Sequence, residues 1–375
     1  IKDDHLVSKD LNYLKVLEKK FVSTYSSKIK KTEKISLALK DLKEYGTLPF
    51  VGLARVGFIA VNLLKSMVKV NLINEKEYNC FMSNCSTISK KLTQDKQKLN
   101  KERFLKKYGH LRPGTYDILS PRYDETPNDY FDWSKKADTL NRNHEAFILS
   151  DTKHYKINKI LEKNKIRSTS VQLFRFIKKG IELRELSKFI FTKYLSELLK
   201  LIEEFGRDNG LCKKEISYVP INTLIKLDST SNYSKNFLVN IIKKEKNKYD
   251  LSKRLRLPPL ITKPEDIFSF EWPNLFPNFI TQKTIKGNVI NFENKNNING
   301  NIVFIPNADP GFDWIFSHNP SGLITAWGGA NSHMAIRAAE LQIPAVLGVG
   351  EVLYQKWLST KRLYINCLTQ KVEII

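Results

Sequence analysis

A single histidine, His333, stands where a glycine-rich turn gives way to a helical pattern. A short apolar run, 322–325, predicts a buried strand, and Gly328 and Gly329 follow it as a turn. The polar pair Asn331-Ser332 then supplies side chains that favour the N-cap position of a helix. We therefore predict a helix over 332–341 with His333 in its first turn.

That position favours one kind of chemistry. The first turn of a helix presents unpaired backbone N–H groups and the positive end of the helix dipole, which together attract phosphate. The same field disfavours a protonated imidazole, and a neutral imidazole is a nucleophile. His333 can therefore act as a phosphoryl carrier whose product lies over stabilising donors. The alternative is that His333 is simply a polar residue near a helix cap.

Two further groups of residues are candidates for substrate binding. His110 and Arg112 precede a Pro-Gly turn, where a structural role in the loop is an equally good interpretation. Arg184 and Lys188 are four residues apart, on one face of a predicted helix, with Glu185 beside them. A solvated helix face explains this second group equally well.

The composition and the periodicity of the sequence change along its length. Residues 1–256 show mainly helical periodicity, residues 257–276 are rich in proline and predict a semi-rigid linker, and residues 277–375 alternate short β-like runs with glycine turns. In this last region one clear helix is expected, and an exposed hairpin loop at 293–299. We predict a multidomain α+β protein. The predicted helices are 10–20, 47–68, 74–97, 171–204 and 236–248, and the predicted strands are 286–292, 301–305, 321–325, 345–349 and 362–367.

Composition excludes several classes of protein. The 375 residues are 41% hydrophobic and 27% charged, which is ordinary for a globular chain. The net charge of +23 suggests a nucleic-acid partner, but lysines spread along the whole length carry it, and no known nucleic-acid-binding motif occurs. The most apolar stretch, 48–64, is interrupted by Arg55 and Asn62 and is too short to span a membrane. The four cysteines form no metal-binding spacing. We expect a cytoplasmic protein that binds neither nucleic acid, membrane nor metal.

The string around His333 resembles the phosphohistidine (swivelling) domain of the phosphoenolpyruvate (PEP)-utilising enzymes. The resemblance covers about residues 277–375. Asn331 stands where that family usually has Thr, and residues 309–314 look like the family's Asp-Pro-Asp-Trp segment with an insertion. The helical half is more loosely similar to the branch that contains phosphoenolpyruvate synthase and rifampin phosphotransferase. The matching positions are Gly328, Gly329, Ser332, His333, Ala335, Ile336 and 343–346 in the swivelling domain, and 108–118, Arg184, Glu185 and Lys188 in the helical half.

The resemblance implies that His333 accepts a phosphoryl group and passes it to a small-molecule acceptor. It implies a small β/β/α swivelling domain at 277–375, a helical acceptor domain at 1–256 and a hinge at 257–276. In this family an ATP-grasp domain, with ATP and Mg²⁺, phosphorylates the histidine. No sequence signature of such a domain is present, so we expect it upstream in the same protein or on a separate chain, since the sequence does not begin with Met. The alternative is a catalytically idle or regulatory module that acts by binding.

Overall fold

The computed structural model describes residues 5–131, 133, 146–227, 235–255, 257–258, 261–268, 276–294, 297–330 and 332–375. These residues group into two compact units. The first comprises Ile1–His110 and Lys136–Leu201, and the second comprises Leu111–Lys135 and Ile202–Ile375. The units are not delimited at the predicted linker 257–276, part of which lies outside the described residues. The domain boundaries and the hinge stay predictions.

The first unit is helical. Its helices are α1 (His5–Ser26), α2 (Lys31–Asp41), α3 (Leu48–Lys69), α4 (Glu75–Ser83), α5 (Ile88–Lys98), α6 (Lys101–Tyr108), α8 (Asp151–Lys163) and most of α9 (Ser170–Asp208). A π-helical turn, Leu42–Thr47, joins α2 to α3. The predicted helix 74–97 is two helices, because Asn74 and Thr87 each cap a new start, and each accepts a backbone N–H three residues on.

Two glycines bring α3 and α9 into close contact. A Cβ on Gly57 would lie 2.8 Å from the Arg184 Cβ, and one on Gly180 would lie 3.0 Å from the Ala60 Cβ. Ala60, Leu64 and Ile177 are fully buried in the core that forms beside this crossing. Small residues at the crossing therefore let the two backbones approach and larger residues fill the space alongside.

The helical run Lys31–Lys69 is, among the described residues, long and apolar enough to cross a membrane by length and composition. The apolar stretch 48–64 covers only part of this run, because α2, the π-helical turn and α3 are continuous. Leu53, Ala60 and Leu64 are buried within the first unit, while Phe58 and Ile59 are about half exposed. The absence of a membrane partner stays a prediction.

The second unit contains a mixed sheet, in which the described residues form seven strands. The strands are β1 (Asn278–Ile280), β2 (Thr284–Asn291), β3 (Ile302–Asn307), β4 (Gly322–Trp327), β5 (Ala345–Leu347), β6 (Arg362–Asn366) and β7 (Lys371–Ile374). Their order in the sheet is β1-β5-β4-β3-β2-β6-β7. The central strands β2, β3, β4 and β5 are parallel, and β1, β6 and β7 pair antiparallel at the edges.

The second unit also contains helices. They are α7 (Pro127–Tyr130), α10 (Lys213–Ile216), α11 (Ile221–Leu227), α12 (Lys235–Ser252), α13 (His333–Glu340) and α14 (Gly350–Leu358). Tyr354 and Trp357 of α14 belong to one buried cluster with Phe304, Ile324 and Val346 of the sheet. A helical N-terminal region and a C-terminal mixed sheet confirm the predicted α+β class.

Three details differ from the predictions for this region. The helix α14 was not expected, because its apolar residues are mostly aromatic or β-branched and give a weak helical signal. The 3₁₀ segment Pro310–His318 was also missed. Since β2 and β3 are parallel, the connection between them is a crossover and not the predicted hairpin.

Candidate functional site

The turn after β4 is built on a glycine that no other residue can replace without strain. Gly328 has φ +142°, and a Cβ there would lie 2.5 Å from the Ala308 Cβ. A Cβ on Gly329 would meet nothing within 4 Å, so this second glycine faces open space. The turn therefore leaves room beside the start of α13.

The turn after β5 lies against the turn after β4. Gly348 has φ +72°, and a Cβ at this position would collide with the carbonyl oxygen of Gly328. The Gly348 N–H donates a hydrogen bond to the carbonyl oxygen and the hydroxyl of Thr325, near the end of β4. Because the carboxyl ends of these parallel strands are adjacent, the two turns form one edge at which α13 begins.

Ser332 caps α13, and His333 is its first residue. The Ser332 hydroxyl accepts the Ala335 N–H at 3.2 Å. Met334, Ala335 and Ala338 are buried, which fixes the helix, and His333 at its N-terminal end is partly buried. The predicted position of His333 in the first turn is confirmed, whereas Asn331 lies outside the described residues.

A carboxylate holds the His333 ring. The ring Nε2 lies 2.9 Å from Asp313 Oδ1, and the Nε of Arg337 donates to the same oxygen at 2.9 Å. Arg337 Nη1 also donates to Glu340 Oε2 at 2.8 Å. The side chains of His333, Asp313 and Arg337 are 11%, 4% and 6% exposed. The ring is therefore neither walled off in the core nor fully solvated.

Charge fixes the protonation of this group. Burial raises the pKa of Asp313, but the guanidinium of Arg337 and the bond from His333 more than offset it, so the pKa lies below its ordinary value. Burial lowers the pKa of Arg337, and Asp313 and Glu340 more than compensate, so it is raised. An ionised carboxylate only accepts hydrogen bonds, so His333 Nε2 carries the proton. In the neutral ring of this arrangement the lone pair lies on Nδ1.

The other candidate residues make structural contacts within their own units. His110, in the first unit, is 5% exposed and packs edge-on against Phe189 with ring centroids 4.8 Å apart. Arg112, in the second unit, is 4% exposed and its Nη1 donates to the carbonyls of Asp117, Ile118 and Ser120. Arg112 thus organises the loop that follows it.

The charged group on α9 belongs to the first unit. The Arg184 guanidinium lies 4.7 Å from the centre of the Phe58 ring, and burial lowers the pKa of Arg184. Glu185 Oε2 accepts the Ile88 N–H at 3.0 Å, where α5 begins. Lys188 is partly exposed. Substrate binding by His110, Arg112, Arg184, Glu185 and Lys188 stays a prediction.

Sequence reasoning missed Asp313 and Arg337 as site residues. Two signals were available: Arg337 follows His333 by four residues, hence on the same helix face, and Asp313 lies in the segment that resembles Asp-Pro-Asp-Trp. Across the described residues, no group of three or more His, Cys, Asp or Glu is arranged to hold a metal ion.

Comparison with known proteins is consistent with this geometry. Residues 298–369, which contain Asp313, His333 and Arg337, match the model of the family described as PEP-utilising enzyme, mobile domain. Rifampicin phosphotransferase of Bacillus cereus is 27% identical to this chain over 277 residues, which cover 66% of this chain and 31% of the relative. The chain thus spans about a third of the length of this relative.

Proposed function

We propose that this chain is the phosphoryl-carrying part of a phosphotransferase, because residues 298–369 match the family model of the PEP-utilising enzyme mobile domain. His333 is the carrier. The observation that supports this most strongly is the partly exposed imidazole in the first turn of α13, held by the buried Asp313–Arg337 pair. The same turn provides the helix N–H groups that suit a bound phosphoryl group.

The proposed reaction has two transfers. In the first, a ring nitrogen of His333 forms a bond to phosphorus of ATP, the P–O bond to the nucleotide breaks, and its electron pair stays on the departing oxygen. In the second, a hydroxyl oxygen of the acceptor bonds to the phosphorus, its proton passes to a base, and the electron pair of the P–N bond returns to the ring. An ATP-grasp domain, in the same protein or on a separate chain, would supply ATP and Mg²⁺.

Separate donor and acceptor sites require the carrier to move, because each transfer needs reacting atoms about 3–3.5 Å apart. We propose that residues 257–276 provide the hinge and that the helical half contributes to the acceptor site through His110, Arg112, Arg184, Glu185 and Lys188. The acceptor is a small molecule. Rifampicin is one compound to assay, since it is named in the relative.

The carrier function can be tested without the nucleotide domain. Phosphoramidate is a small donor that phosphorylates reactive histidines directly, and mass spectrometry locates the added phosphoryl group. We expect an acid-labile, base-stable modification at His333 that is lost in His333→Ala and kept in His154→Ala, a partly exposed histidine of the first unit. A chain that is modified equally in both variants would contradict the proposal.

The ATP-dependent step needs its own experiment. The chain is incubated with an ATP-grasp partner and with ATP labelled in the β- or γ-phosphate. Label on His333 from one of the two positions supports the relay and identifies the phosphate transferred. Modification by phosphoramidate without any transfer from ATP would favour the alternative of a binding or regulatory module.

A further inference from the structure

The carboxylate that binds His333 lies on a segment that contacts residues far upstream in the sequence. Asp313 lies in the 3₁₀ segment Pro310–His318. Residues 111–131, which we name the upstream clamp, contact this segment at both ends, and both belong to the second unit. Nearly two hundred residues of chain separate the contacting positions.

At its start the 3₁₀ segment fits the clamp backbone with no space for a side chain. A Cβ on Gly311 would collide with the carbonyl oxygen of Arg112 and would lie 2.6 Å from the Pro113 Cα. The Tyr123 hydroxyl donates to the Gly311 carbonyl at 3.0 Å, and the Thr115 hydroxyl donates to Asp309 Oδ1 at 3.1 Å. This contact includes backbone atoms that cannot rotate away.

At its end the 3₁₀ segment is held by one residue of the clamp. The carbonyl of Tyr130 lies 3.0 Å from His318 Nε2, which donates to it, and the Tyr130 ring packs edge-on against Trp314 with centroids 5.4 Å apart. Tyr123, Tyr130 and Trp314 are each at most 1% exposed. The aromatic rings of the clamp and of the 3₁₀ segment are therefore packed without solvent between them.

Asp313 therefore lies between two anchored points. Its bond to His333 Nε2 is 2.9 Å long, and a shift of well under 1 Å in the 3₁₀ segment is enough to take it outside hydrogen-bonding distance. A carboxylate bound to an imidazole N–H fixes the tautomer and orientation of the ring and raises the basicity of its other nitrogen. The position of the clamp thus affects the chemistry of His333.

We propose that the upstream clamp is a positioning element for His333 that acts through the 3₁₀ segment and Asp313. The clamp belongs to the phosphoryl-carrying unit, although the sequence places it within the helical half. This inference rests on the proposed carrier function, because its test measures the phosphorylation of His333. Arg112, which donates to three carbonyls of the clamp, supports the shape of the clamp.

The test uses the full chain with Tyr123→Phe and Gly311→Ala. Tyr123→Phe removes only the hydroxyl bonded to Gly311, and Gly311→Ala forces the 3₁₀ segment away from the clamp backbone. The matched control is Tyr364→Phe, which loses the hydroxyl contact to Asn366 on β6. The rate of His333 modification by phosphoramidate is measured, together with the ¹H–¹⁵N NMR signal of the His333 Nε2–H.

We expect both clamp variants to slow modification, Gly311→Ala by about 10- to 100-fold, and to shift or lose the Nε2–H signal. Tyr364→Phe should match the unaltered chain. A purely structural role would lower thermal stability without moving the ring signal of the folded protein, so that result overturns the inference. If Gly311→Ala does not fold, Tyr123→Phe decides alone.

The outcomes separate the two proposals. An unaltered chain that is not modified at His333 contradicts the carrier function itself. A chain that is modified at His333 at the same rate in the unaltered protein and in both clamp variants contradicts only the role of the clamp.

Discussion

Replacing Arg337 with Met should destabilise the second unit because it leaves a buried carboxylate without its cation. Asp313 Oδ1 and Arg337 Nε are 2.9 Å apart, and at an effective dielectric constant of 20 two unit charges at that distance attract by about 6 kcal/mol. The bond from His333 remains in the variant and the guanidinium charge is delocalised. We therefore expect a loss of about 3–5 kcal/mol in the free energy of unfolding, the usual cost of removing one partner of a buried pair.

The effect should depend on pH in a defined direction. In the unaltered chain the pKa of Asp313 is lowered, so its ionised form contributes stability above the unfolded-state value near 3.9, and this is lost as the pH falls through the lower folded-state pKa. In Arg337→Met burial acts without the guanidinium and raises the pKa of Asp313. The difference between the two proteins should therefore be largest near neutral pH and shrink in acid, where the buried carboxylate takes a proton.

Urea unfolding followed by circular dichroism measures this difference. Arg362→Met, on an exposed position of β6, serves as the control and should change the free energy of unfolding by less than about 0.5 kcal/mol. Asp313→Asn combined with Arg337→Met should be more stable than Arg337→Met alone, because the uncompensated charge is gone. An Arg337→Met chain within about 1 kcal/mol of the unaltered protein at neutral pH would refute the reasoning.

Three further predictions concern other parts of the molecule. Gly57→Ala should lower the free energy of unfolding by about 1–2 kcal/mol in urea, since its Cβ would meet the Arg184 Cβ and a backbone oxygen, and an unchanged midpoint would contradict the tight crossing. Glu185→Gln should cost about 0.5–1 kcal/mol by thermal unfolding, because a carboxylate at the start of α5 is lost, and no change would argue against that structural role. With a thiol reagent, the exposed Cys212 should react at once, whereas Cys367, whose pKa is raised by burial, should react only on unfolding. Cys212→Ser should therefore remove the fast phase of the reaction. A fast phase that persists in this variant would contradict the assignment of that phase to the Cys212 thiol.

The position of His333 could be predicted from the sequence because its determinants are local. A strand, a glycine turn, a capping serine and a helix follow one another within about twenty residues, and each has its own pattern. The central strands were found for the same reason, since β3, β4 and β5 are apolar runs between turns. Their boundaries differ from the predicted ones by at most two residues.

Contacts between residues far apart in the sequence could not be predicted. Asp313 reaches His333 across twenty residues, and the clamp reaches the 3₁₀ segment across nearly two hundred. Neither separation leaves a periodic signal. The short edge strands β1 and β7 were missed because three or four residues carry too little alternation, and their pairing depends on neighbours already in place.

The contact between Gly348 and the carbonyl of Gly328 has a consequence for variation in this protein. A side chain at Gly348 would collide with the carbonyl oxygen of Gly328, and a side chain at Gly328 would meet the Ala308 Cβ. The two turns, about twenty residues apart, therefore both require glycine while the backbone keeps its path. A random library that spans both turns should therefore yield functional clones in which these two glycines are retained together, while Gly329, beside open space, tolerates replacement by small residues.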